Sequence, residues 1–159
     1  MPEHRIRLNR AWEIRAVPLE LSAAELAAHA GIAADERFDL PLIVDDQPAD
    51  DEGHPVRLLL TRWFNAPSNL QPDQVVRVVV EPAAIVLQLW LNQSKLAGEP
   101  TSCESRTGET PMLRAVFNLT GKLQHHNRLD ILVGDTLGLS TASIALVIDE
   151  WQSDQGEEK

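Results

Sequence analysis

The chain has 159 residues, of which 43% are hydrophobic, enough to bury a core without covalent staples. A net charge of −10 speaks against nucleic-acid binding, and the single cysteine, Cys103, excludes an internal disulfide framework or a zinc site made of cysteines alone. The charged start, MPEHRIRLNRAWEIR, lacks the apolar stretch of a secretion signal and no run of about eighteen apolar residues follows, so the chain reads as cytoplasmic with no membrane span.

Taken in chain order, the first element is a strand. Ile6, Leu8, Trp12 and Ile14 fall on one face at period two, with Arg7, Asn9, Glu13 and Arg15 opposite. The scattered arginines Arg5, Arg7, Arg10 and Arg15 read as the solvent side of that strand. Residues 21–31, LSAAELAAHAG, break the pattern: Ser22 precedes Glu25 at capping-box spacing and Gly31 supplies a stop. They predict one short helix near residues 22–30 that closes the fold structurally.

An acidic, proline-containing connection (45–55) leads to VRLLLTRWFN (56–65), and NAPSNLQPDQ turns the chain into QVVRVVVEP (74–82). AIVLQLWLN (84–92) follows Pro82. The segment 98–111, GEPTSCESRTGETP, reads as the longest polar loop. Then MLRAVFNLT (112–120) aligns Leu113, Ala115, Phe117 and Leu119, before RLDILVGD (128–135) and ASIALVIDEW (142–151). Seven or more short strands separated by turn signals predict an all-β fold, an antiparallel β-sandwich. One domain over 1–152 is expected, followed by a disordered acidic tail over 153–159.

The ordered strand series resembles the N-terminal jelly-roll domain of the family-two glycoside hydrolases, which has the galactose-binding-like fold and is often called sugar-binding. The residues that carry the likeness are Arg62-Trp63-Phe64 with Pro67, VVRVVVEPAAIVLQLWLN ending in Trp90-Leu91-Asn92, Gly98, and FNLTGKLQHHNRLDILV (117–133). LNRAWEIR (8–15) and GLSTASIALVI resemble the opening and closing strands. Two positions depart from the family pattern: Gln93 stands where Asn-Gly is preferred, and Asn118 where Asp is usual. The family's catalytic carboxylates lie on a separate barrel for which this chain is too short. The resemblance therefore implies a non-catalytic, carbohydrate-binding-like β-sandwich module. The alternative is a protein–protein interaction or scaffold domain of the same fold with no sugar site.

Sugars are held by aromatic rings stacked on their C–H faces and by planar polar groups that bond their hydroxyls. The candidate ligand-binding residues are therefore Trp63, Trp90 and Asn92, with Trp90 on the strand face shared by Gln88 and Asn92. Trp12 reads as core, and Trp151 as an anchor for the terminus. The loops 45–55 and 98–111 are the expected surroundings of a ligand. No metal site, cofactor or catalytic residue is expected. Asp45, Asp46, Asp50, Asp51 and Glu52 lack a calcium-loop spacing. His125-His126 reads as a plain turn, and Cys103 has no positioned base. Asn92-Gln93-Ser94 and Asn118-Leu119-Thr120 match the glycosylation pattern by chance. A carbohydrate or protein partner is anticipated, without an oligomeric state.

Overall fold

The computed structural model describes residues 4–19, 22, 24, 37–44, 48, 49, 51–103 and 112–150. The helix expected over 22–30 falls almost wholly outside these residues, as do Trp151 and the tail over 153–159. Among the described residues there are eleven strands: β1 (His4–Arg7), β2 (Trp12–Val17), β3 (Arg37–Phe38), β4 (Arg57–Asn65), β5 (Gln74–Glu81), β6 (Val86–Leu91), β7 (Ser94–Leu96), β8 (Glu99–Cys103), β9 (Met112–Asn118), β10 (His126–Val133) and β11 (Ser143–Glu150). They form two antiparallel sheets, ordered β1-β11-β5-β9-β8 and β3-β2-β4-β10-β6-β7. The all-β sandwich expected from the strand pattern is the fold observed.

Alternation decides which residues meet between the sheets. Val76, Val78 and Val80 of β5 face Leu60 and Phe64 of β4 and Leu129, Ile131 and Val133 of β10 across one continuous core. Phe117, Leu119 and Ile144 complete it from the five-stranded side. Each such side chain, fully withdrawn from water, contributes about 1.5–3 kcal/mol of transfer free energy. Trp12 is fully buried in this core, as its strand face requires, and its indole N–H donates to the Leu8 carbonyl.

Two local readings change. Residues 99–103, whose polar sequence reads as part of a long loop, form β8, which pairs with β9 from Glu99↔Val116 to Cys103↔Met112. Polar composition hid this strand because an edge strand pairs on one side only. Gly98 leads into it, and a methyl group added there would run into the Phe117 ring. The other change lies in 84–92, where Ala83–Ile85 is a short 3₁₀ turn and the strand starts at Val86.

Candidate functional site

Register places the three nominated residues around β10. Directly opposed residues of an antiparallel pair project to the same face. Trp63 of β4 lies opposite Arg128, and Trp90 of β6 lies opposite Asp130. Asn92 follows β6, where its N–H donates to the Arg128 carbonyl at 2.8 Å. On the outward face of the six-stranded sheet, one row of partners runs Arg37, Glu13, Thr61, Asp130, Trp90 and Lys95 across every strand.

The centre of that row is withdrawn from solvent. Asp130 is buried, and its Oδ1 accepts from Arg128 Nε at 3.2 Å and from Nη2 at 3.0 Å, while Oδ2 lies 3.0 Å from Nε as an ion-pair contact. Thr61 Oγ1 donates to the same Oδ1 at 2.5 Å. Burial pushes the Asp130 carboxyl above its ordinary value, although the Thr61 hydrogen bond and the Arg128 charge pull it back. Among the described residues Arg128 Nη1 and Asp130 Oδ2 have no hydrogen-bond partner. On β2, Arg15 lies 3.6 Å from Glu13. Beside this charged centre, Trp90 packs with Val17, Leu59 and Leu132 in a second apolar cluster.

Trp63 differs from Trp90 by exposure. It is 45% exposed, against 4% for Trp90. The His126 ring stacks on it with centroids 5.0 Å apart and planes 9° from parallel. The Arg128 guanidinium carbon lies 6.0 Å from the Trp63 ring centroid. His126 Nδ1 is 2.9 Å from Asn65 Oδ1, directly across the strand pair. Arg62 Nε donates to the Arg10 carbonyl at 2.8 Å, and burial lowers the Arg62 pKa. The platform is thus one exposed indole braced by an imidazole on a neighbouring strand.

Asn92 is both a turn residue and a brace. Asn92 and Gln93 have φ of 50° and 68°, the left-handed pair of a two-residue hairpin turn between β6 and β7. The Asn92 side chain accepts from Arg128 N at 2.8 Å and donates to Asn127 Oδ1 at 3.1 Å. Asn127, fully buried, exchanges two 2.8 Å bonds with the Gln124 backbone. An open cleft of about 410 Å³ lies beside this turn, lined by Asn92, Ser94, Lys95, Lys122 and Gln124 over Leu91 and Leu96.

The nominated residues therefore fare unequally. Trp63 and Asn92 sit at one end of the sandwich, where β4 ends, β10 begins and the 119–125 connection passes. Trp90 shares their neighbourhood but lies beneath the surface. The loop 45–55 enters β4 at Arg57, the opposite end. Cys103 and Met112, which residues 104–111 join, also lie at the far end of β9 from Asn118. The sequence pattern does not mark His126, Asn127, Arg128 and Asp130 as site residues. Their signal was charged residues alternating with Leu129 and Ile131 inside an apolar strand. Among the described residues no cluster of three or more His, Cys, Asp or Glu side chains could hold a metal ion, and no helix is long and apolar enough to cross a membrane.

No family model matches the sequence, and no curated protein matches it significantly. Solved structures do match. A β-glycosidase from Bacteroides vulgatus superposes with a TM-score of 0.58 at 14% identity, over 92% of this chain and 20% of the enzyme. A Bifidobacterium dentium β-glucuronidase, complexed with coumarin-3-O-glucuronide, gives 0.53 at 21% identity, over 82% of this chain and 20% of the enzyme. The chain has the fold of a glycosidase domain. Its resemblance to family-two glycoside hydrolases holds as a likeness of fold, and it spans about a fifth of the chains it matches.

Proposed function

We propose that this chain is a non-catalytic, carbohydrate-binding-like module whose contact surface is the strand-end region around Trp63 and Asn92. The observation that carries the reading is the exposed Trp63 indole, stacked on His126, which Asn65 Oδ1 meets at 2.9 Å, at the strand end that also carries the Asn92 turn and its separate cleft. A pre-oriented aromatic plane beside planar polar groups suits a sugar, because ring C–H groups stack while hydroxyls exchange hydrogen bonds. Trp90, being buried, supports the sheet rather than touching the ligand. The small share of the glycosidase chains that this fold represents supports a non-catalytic role.

Thermal unfolding against a panel of mono- and oligosaccharides, with and without calcium, tests this. A specific sugar at a hundred times its dissociation constant adds about 2.7 kcal/mol of stability. Trp63→Ala abolishes that shift, measured against the variant's own sugar-free unfolding temperature, which the loss of the half-buried indole and its His126 stack lowers. No shift across the panel overturns the sugar reading in favour of a protein partner.

A further inference from the structure

We infer that the cleft beside Asn92 selects an acidic sugar, one that carries a carboxylate. This rests on the carbohydrate reading and names the ligand class of its site. The sequence contains three lysines, Lys95, Lys122 and Lys159, and two of them line this one cleft. They reach it from different elements: Lys95 from edge strand β7, and Lys122 from the connection between β9 and β10. Neither ammonium group makes a hydrogen bond or ion pair with any described residue, whereas Arg15, Arg77 and Arg128 each face a carboxylate.

No Asp or Glu is among the described residues that line the cleft. In a chain of net charge −10, two uncompensated ammonium groups at one opening form a local reversal of sign. The remaining walls suit the rest of a sugar. Ser94 and Gln124 offer hydroxyl and amide groups, Asn92 is held in place by Arg128 N and Asn127, and Leu91 and Leu96 supply an apolar floor. The volume of about 410 Å³ accommodates a mono- or disaccharide. Lysines act here as charge sources that hold a carboxylate by charge-assisted hydrogen bonds.

The test is isothermal titration calorimetry of the full chain with matched pairs, galactose against galacturonate and glucose against glucuronate, at low and high salt. Sodium sulfate serves as a bare-anion probe. The expected result is one uronate binding about tenfold tighter than its neutral parent at low salt. The preference shrinks in high salt. Lys95→Gln with Lys122→Gln removes the preference and, with both side chains exposed, leaves thermal unfolding near the parent's.

Equal binding of both members of each pair overturns the acidic-sugar inference and leaves the carbohydrate reading standing. A uronate preference that survives the double substitution places selection elsewhere and overturns it too. Sulfate competing as well as the uronate marks a plain anion site and overturns the sugar class. Binding of neither sugar overturns both readings.

Discussion

The two outward faces of the sandwich use the same ion pair in opposite settings. On the five-stranded sheet, Arg77 Nη1 meets Asp149 Oδ2 at 3.1 Å with side chains 42% and 33% exposed. On the six-stranded sheet, Arg128 meets Asp130 at 3.0 Å with side chains 3% and 0% exposed. Water screens the first pair, so it adds little beyond solubility. The second has lost its hydration and depends on its partners, the Thr61 hydroxyl among them. Similar geometry thus carries different energy. The buried pair also holds the strand on which Trp63, Asn92 and His126 depend, so the face with the candidate site is the face with the more fragile electrostatics.

Removing one partner from each pair gives the widest separation. Asp130→Ala leaves the Arg128 charge buried alone and is expected to cost about 3–5 kcal/mol in urea unfolding. A loss under about 1 kcal/mol would mean that the two faces are energetically alike. A control comes from the interior between them. Gly98→Ala, which forces the Phe117 ring aside, is expected to cost about 1–3 kcal/mol with no dependence on salt.

Next in size is the turn that ends β6. Gln93 holds φ of 68° without being glycine, so Gln93→Gly is expected to stabilise the chain by about 1 kcal/mol in thermal unfolding. The smallest effect belongs to the exposed pair. Asp149→Ala is expected to cost less than about 1 kcal/mol and to lose even that in high salt.

Acidity sharpens the comparison further. Burial raises the Asp130 carboxyl above its ordinary 3.8, so the folded chain holds that proton more tightly than the unfolded chain does. The resulting stability is fully present below the unfolded value and is lost as pH rises through the raised folded value. Asp130→Asn cannot titrate. The stability of the parent relative to this variant, followed by urea midpoints across the acidic range, is therefore expected to fall with rising pH in that window. A difference that rises with pH instead would show that Arg128 outweighs burial.

The fold was legible because alternation is local. Val76, Val78 and Val80 declare one face of β5, and Phe117 and Leu119 continue the same logic in and after β9. The site was legible only in part. Alternation put Trp90 on the outward face, and it is there, but its burial depends on Val17, Leu59 and Leu132 from three other strands. The same reading left Arg128 and Asp130 unmarked, because a charged residue on the outward face of a strand ordinarily meets water. His126 looked like a turn residue because its stacking partner, Trp63, lies far away in sequence and is brought beside it only by the register of β4 with β10.

Chemical-shift perturbation in a sugar titration, read at the Trp63 indole and at the amides of Asn92, Gln124 and His126, tests the proposed site most directly. Binding at this end of the sandwich predicts concerted, saturable shifts at these groups and little change at the Trp90 indole or near Arg57. Saturable shifts confined to the opposite end, or none with any sugar that is tried, would contradict it.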